Sequence, residues 1–182
     1  MLFEIFNIFI LVEAVWLILP AYAANGLVPL FKGSQPVDGG RQLGRRPLFG
    51  PGKTWEGLLA GIGIGAIIGL IQFVAFPYIP WNISEVPLTI VPMSALLGIL
   101  LGLGAMLGDL GGSFIKRRAG LKRGALAPLL DQDDFLVGAL VFASILVFVK
   151  FEWWVLLLVI TPILHWIACL VGYVFKVKKT PY

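Results

Sequence analysis

The sequence predicts an all-α integral membrane protein with five transmembrane helices, an extracytoplasmic N-terminus and a cytoplasmic C-terminus. Three observations carry the prediction. Of 182 residues, 59% are hydrophobic and only 13% charged, with a mean hydropathy of +0.94, whereas an ordinary soluble domain carries about 25% charge. The apolar residues fall in runs near the length of about 20 that crosses a hydrocarbon core at 1.5 Å per residue. The basic residues are segregated: thirteen of the fourteen lie in two loops and the tail.

Five segments approach spanning length, at 2–24, 57–76, 88–108, 135–149 and 153–175, within a single polytopic domain covering 1–182. The first opens without a cationic leader, its first charge being Glu4, and no clean small-residue cleavage site follows, so it is expected to be a retained helix. Glu13 sits near its middle and requires protonation or a partner there. The second carries Gly57, Gly61, Gly65 and Gly69 at four-residue spacing, and the third Gly98 and Gly102, then Gly104, Gly108 and Gly112. Such small-residue faces allow close helix packing, within one chain or between the copies of a homodimer. The fourth is short, and spans only if it begins near Asp131, which would put the turn from Asp131 to Asp134 at the membrane boundary. The fifth holds His165, expected to pack, and Cys169, whose solitude excludes an intramolecular disulfide or a cysteine metal cluster.

Lys32, Arg41, Arg45, Arg46 and Lys53 occupy the loop 25–56, and Lys116, Arg117, Arg118, Lys122 and Arg123 the loop 109–134, with Lys176, Lys178 and Lys179 in the tail. Lys150 alone falls on the other side. The positive-inside rule makes the basic side cytoplasmic, and Trp81, Trp153 and Trp154 fit an aromatic belt at the outer interface. The net charge of +4 does not point to nucleic acid, because there is no basic arm and no nucleic-acid module. Phosphates of a lipid or a nucleotide are the expected partners, and the two cytoplasmic loops are where chemistry is expected.

The densest charge lies between 108 and 134, which holds four of the ten acidic and five of the fourteen basic residues. Carboxylates hold divalent cations through oxygen, and lysine and arginine hold phosphate. If the third helix runs on to about 118, then at 100° per residue Ser113 and Lys116 fall within about 60° of the face of Asp109, and Arg118 points the opposite way, toward headgroups. An acid at membrane depth costs about 2.5–3.5 kcal/mol without a partner, which favours a function for Asp109. Asp131 and Asp134, three apart, share one face of a helical first turn and can hold one hard cation, whereas Asp133 falls elsewhere. Plain capping, worth about 0.3–1 kcal/mol per charge, competes with that reading. The turn Lys122-Arg123-Gly124 adds two cations where glycine permits close approach. There is no P-loop, dinucleotide fingerprint or zinc motif.

These residues carry a resemblance. Ser113-x-x-Lys116-Arg117, then Lys122, Pro128 and Asp131-x-x-Asp134, resembles the C-terminal motif of the CDP-diglyceride synthase superfamily of phosphatidate cytidylyltransferases. The archaeal branch, the CDP-archaeol synthases, is similar over more of the chain: Asn25-Gly26 with Pro29, Pro36-Val37-Asp38-Gly39-Gly40, Gly44-Arg45-Arg46, Lys53-Thr54-Trp55-Glu56-Gly57, and Lys122-Arg123-Gly124-Ala125 with Asp131-Gln132. Two departures separate the chain from the bacterial and eukaryotic pattern. Arg123 stands where that pattern has an acid, and Ala127-Pro128-Leu129-Leu130 replaces a His-Gly-Gly, so no histidine can act there.

The resemblance implies transfer of the cytidylyl group of CTP to 2,3-bis-O-geranylgeranylglycerol 1-phosphate, giving unsaturated CDP-archaeol and pyrophosphate. It implies Mg²⁺ held by Asp131 and Asp134 with help from Asp109, and Lys116 joining these three as catalytic. Asn25, Lys53, Ser113, Lys116, Arg117, Lys122 and Arg123 would bind CTP or its phosphates, and Asp38, Arg45, Arg46 and Thr54 the lipid phosphate end. A lipid phosphate monoester is already an anionic nucleophile, so the chemistry asks for charge neutralisation and positioning rather than a strong base. Two alternatives stay open on the residues alone. A CTP-dependent polyprenol or lipid kinase would use the same metal-triphosphate site, and a small channel or transporter would use Glu13 and the glycine faces.

Overall fold

A computed structural model describes residues 8–31, 33–81, 88–121, 127 and 130–174. The chain is mostly helical, and it is a multi-pass membrane protein. Its elements in order are α1 (Ile8–Leu27), a 3₁₀ turn (Val28–Leu30), a short hairpin of β1 (Gln42–Leu43) and β2 (Arg46–Pro47), α2 (Trp55–Ala75), a 3₁₀ turn (Phe76–Tyr78), α3 (Ala95–Arg118), α4 (Leu130–Ala143) and α5 (Phe151–Val174). Among the described residues, the three stretches Ile8–Leu30, Trp55–Tyr78 and Ala95–Arg118 are long and apolar enough to cross a membrane, and the Phe151–Ile167 part of α5 is apolar as well.

α3 lies at the centre, with α2 against one face and α4 against another. Glycine makes both contacts possible. A Cβ on Gly65 would overlap the Gly98 carbonyl and sit 2.9 Å from the Gly102 Cα, and one on Gly104 would sit 2.9 Å from the Ala139 Cα. The backbones therefore touch directly, which is how helices associate where lipid removes the hydrophobic drive to pack. The glycine faces expected from the sequence are thus used within one chain. α1 crosses behind them, and Leu17, Ile18, Leu101, Leu136, Leu140 and Leu157 form the fully buried centre. Leu59, Ile67, Phe73 and Val74, on the outer side of α2, are exposed, as a lipid-facing surface requires.

Several expectations shift in detail. The third helix begins at Ala95 rather than 88, because Pro92 disfavours helix in the residue before it, and Ser94 caps the start by accepting from the Leu97 N–H at 3.1 Å. It does run on to Arg118. The fourth starts at Leu130, but it ends at Ala143 rather than 149, where the Ser144 hydroxyl bonds back to the Leu140 carbonyl and a turn follows. The described part of α4 numbers 14 residues. Residues 2–7 of the first predicted span lie outside the described residues.

Glu13 of α1 is 4% exposed, and it has three partners. It accepts from Lys150 Nζ at 2.8 Å, from Trp153 Nε1 at 3.1 Å and from the Thr89 N–H at 2.5 Å. This clamp ties α1, the segment before α3 and the start of α5 together. Trp153, at 1% exposure, is accordingly a core residue rather than a belt anchor.

Candidate active site

Loop 33–54 folds back onto the same ends of α2 and α3, and its own polar groups explain how. Thr54 caps α2 by accepting from the Gly57 N–H at 3.2 Å. Glu56 in the first turn accepts from the Ser34 N–H and hydroxyl, both at 2.9 Å, so the loop's entry is tied to the helix N-terminus. Asp38, 6% exposed, accepts from the N–H groups of Gly40, Phe49 and Gly50 at 2.9, 3.0 and 3.1 Å. Burial would push its pKa up, but the three N–H donors outweigh it and hold the carboxyl below its ordinary value. Gly44 in the hairpin turn and Gly50 both have positive φ, which glycine adopts without strain.

Two arginines lash this hairpin to the end of α3. Arg118 donates to the carbonyls of Leu43, Arg46 and Pro47 at 2.8, 3.3 and 2.6 Å. In return Arg46 donates to the carbonyls of Arg118 and Arg117 at 2.5 and 3.3 Å, satisfying acceptors that a helix C-terminus leaves open. Arg117 donates to the Phe49 and Leu121 carbonyls at 3.4 and 2.5 Å.

The consequence is that Lys53, 56 positions before Asp109 in the chain, reaches it: Nζ lies 2.5 Å from Oδ2. One turn pair further along α3, Lys116 pairs with Asp131 of α4, whose other oxygen accepts from the Ala127 N–H at 3.0 Å. Asp134 completes the group. Its Oδ1 accepts from the Phe135 N–H at 2.7 Å, and its Oδ2 is buried with no hydrogen-bond partner, turned toward Gly112 of α3. Ser113, 3% exposed, is the neighbouring hydroxyl on α3.

Two cavities meet at this group, on either side of Pro51-Gly52-Lys53. The first, of about 430 Å³, is bordered by Arg46, Phe49, Lys53, Ser113, Lys116 and Arg117. The second, of about 420 Å³, has Asn25, Lys53, Thr54 and Asp109 for its polar lining, and Phe31, Leu58 and Met106 among its apolar lining. Lys53 borders both.

The structure therefore brings together Lys53, Asp109, Ser113, Lys116, Arg117, Asp131 and Asp134 from positions spread over 82 residues. Other expected residues are engaged differently. Asp38 spends both oxygens on loop amides, Thr54 caps a helix, and Arg46 spends its guanidinium on carbonyls at the cavity wall. Arg118 does not reach toward headgroups but holds the hairpin. Arg45 is exposed in the hairpin, and Lys122 and Arg123 lie outside the described residues. Among the described residues no three acidic, histidine or cysteine side chains converge to hold a metal, because Asp109 and Asp131 each face a lysine. Glu56 stood in the sequence only as part of a family-like motif and Arg118 only as a headgroup contact, so their part in shaping the loop was not foreseen, although Gly50-Pro51-Gly52 marks the turn between the cavities.

A family model for the CarS-like CDP-archaeol synthases matches residues 5–182. The chain belongs to that family. Among its relatives are CDP-archaeol synthases from Methanopyrus kandleri, 42% identical over 93% of this chain and 92% of the relative, and from Pyrococcus abyssi, 42% identical over 93% and 97%. The fold is similar to a solved intramembrane enzyme for archaeal membrane lipids biosynthesis, with a TM-score of 0.73 and 38% identity over 86% of this chain and 92% of that one. The site residues in described positions thus sit within the length shared with these family members.

Proposed function

We propose that the group formed by Lys53, Lys116, Asp109, Asp131 and Asp134 is the active site of this CDP-archaeol synthase family member. The family's activity is CTP-dependent formation of CDP-archaeol, and the chain is a cytidylyltransferase acting on an archaeal lipid phosphate. The lipid is assigned as 2,3-bis-O-geranylgeranylglycerol 1-phosphate, and pyrophosphate leaves. The observation that carries the site is the pairing of two lysines with two aspartates beside the partnerless oxygen of Asp134, at the junction of two cavities.

The cavities suit the two substrates. The first, bordered by Lys53, Ser113, Lys116 and Arg117, offers donors and positive charge for the triphosphate of CTP. The second, with an apolar wall at Leu58 and Met106 and polar groups at Asn25 and Thr54, suits a phosphate carried on a hydrocarbon-tailed glycerol. Asp38 contributes by holding the loop, and Arg45 and Arg46 lie at its hairpin, where anionic headgroups would approach. Lys53, which borders both cavities, is placed to lower the repulsion between the lipid phosphate and the α-phosphate it attacks. At 4 Å, two opposite unit charges attract by about 4 kcal/mol at an effective dielectric of 20, so one lysine matters in such a site. Asp109 and Asp131 hold the two ammonium groups in position and offset their charge.

One carboxylate of the group is open to a divalent cation, and Asp109 and Asp131 would join it by exchanging Lys53 and Lys116 for the ion. The buried, unpartnered Oδ2 of Asp134 is a hard oxygen in need of a cation, with Asp109 and Asp131 as further carboxylates on neighbouring turns. Bound Mg²⁺ would neutralise triphosphate charge.

The five-span topology follows the same reading. CTP is cytosolic, and the site lies at the end of the bundle where the basic loops lie, with Glu13 and Lys150 at the other. That orientation puts the N-terminus outside, the C-terminus in the cytoplasm and the site facing the cytoplasm. A homodimer contact would fall on the exposed outer face of α2, since the glycine faces are occupied within the chain.

Product analysis tests the reaction. Purified protein with Mg²⁺, labelled CTP and the lipid phosphate is expected to give a CDP-lipid and one pyrophosphate per turnover. Release of CDP with phosphate transfer to a lipid would instead assign a kinase, and flux through vesicles without nucleotide turnover would assign a transporter.

A further inference from the structure

We propose that Gly112 is a positioning residue for the Asp134 carboxylate, its missing side chain keeping open the place that the oxygen Oδ2 occupies between α3 and α4. The inference rests on the reading of Asp134 as a cation-binding group. Three glycines in neighbouring positions of α3 differ in what they face. A Cβ on Gly108 would strike the backbone of α4, lying 3.1 Å from the Phe135 Cα, so Gly108 serves helix packing. A Cβ on Gly111 would meet nothing within 4 Å. A Cβ on Gly112 would overlap Oδ2 of Asp134, with Cγ at 2.8 Å and the Asp134 Cβ at 2.9 Å, and its three nearest atoms are all in that one side chain.

The physical result of adding a methyl group is therefore different at each position. At Gly108 two backbones must separate. At Gly112 the closest obstacle is the carboxylate end of a side chain, which can turn about its torsions, and only the Asp134 Cβ, at 2.9 Å, asks α4 to give by a few tenths of an ångström, so the main displacement is that of the carboxylate. The atom displaced is the same oxygen that is buried without a hydrogen-bond partner. Nothing but the absence of a Cβ on Gly112 leaves room for it, and shifts in the groups that orient metal ligands typically lower metal affinity by about 10- to 100-fold.

The test uses the full chain purified in detergent, with Mn²⁺ as the probe and the free ion read by electron paramagnetic resonance, with and without CTP. Thermal unfolding is followed in parallel. Gly112→Ala is expected to weaken Mn²⁺ binding at least about tenfold with an unfolding temperature lowered less than in Gly108→Ala, and Gly111→Ala to change neither. Wild-type Mn²⁺ affinity in Gly112→Ala, beside weak binding in Asp134→Asn, would overturn the assignment of Gly112 alone. Loss of the folded protein in Gly112→Ala would overturn it too, by making the glycine a packing residue. Unaltered Mn²⁺ binding in Asp134→Asn would remove the reading of Asp134 and the inference with it.

Discussion

Lys53 and Lys116 do different work from the arginines around them, and the difference is testable residue by residue. Each lysine ends in a cavity and on an aspartate, whereas Arg46 and Arg118 end on backbone carbonyls. Lys53→Ala leaves Asp109 without its partner and removes a charge from both cavities, so turnover is expected to fall by at least about 100-fold, in line with loss of a group that stabilises charge in the transition state. Asp38 belongs to another class. Its carboxyl is held below its ordinary pKa, so its contribution to stability is fully present above the unfolded value near 3.8 and is lost as pH falls through the lower folded value. Asp38→Ala is expected to cost about 1–3 kcal/mol near neutral pH and to lose less stability than the unsubstituted protein on acidification below pH 4, as read by thermal unfolding across pH. The sequence showed that Asp38 is a charge in a glycine-rich loop. It did not show that the amides of Phe49 and Gly50 converge on it, because that depends on a hairpin with two-residue strands. The same blindness hid the partners of Glu13, which lie 76, 137 and 140 positions away in the chain.

Among the elements, α3 was the most legible and the hairpin the least. The four-residue glycine spacing in α2 and the glycines of α3 announced close packing, and the structure uses them so: Gly65 and Gly69 meet Gly98, and Gly104 meets Gly138. Gly65→Ala is expected to lower the apparent unfolding temperature, since overpacking costs about 1–3 kcal/mol, whereas Gly63→Ala, with nothing within 4 Å, is expected to leave it unchanged or raise it. That Ser113 and Lys116 would share the face of Asp109 if α3 continued to about 118 was readable from the 3.6-residue period, and α3 runs to Arg118. Helix ends at Ala95 and Ala143 were not, because hydropathy does not register a serine cap or a hydroxyl bonding back to a carbonyl. The hairpin is built on arginine-to-carbonyl bonds, which no local pattern reveals. Arg118→Ala releases it at Leu43 and Pro47, and is expected to raise the KM for CTP several-fold while leaving the KM for the lipid largely unchanged, because the hairpin borders only the first cavity.

On the scale of the whole molecule, the chain separates two polar groups along the bundle. At one end Glu13, Lys150 and Trp153 clamp three elements, and at the other the lysine and aspartate pairs lie between two cavities, with a backbone-to-backbone glycine core between the ends. That division explains why an oily chain keeps so many charges in so few places: one end fixes the helices, and the other is the proposed site for phosphate. Composition and charge segregation pointed to this architecture, and family membership accounts for the motifs in the loops. The joining of Lys53 to Asp109 needed the fold, since it depends on where loop 33–54 comes to rest. The most direct test is pyrophosphate release, with CDP-lipid formed in equal amount, by purified unsubstituted protein, Lys116→Ala and Asp131→Asn. The account predicts that both variants stay folded and lose at least about 100-fold in turnover. Turnover near that of the unsubstituted protein in either variant would contradict it and move the chemistry away from this pair.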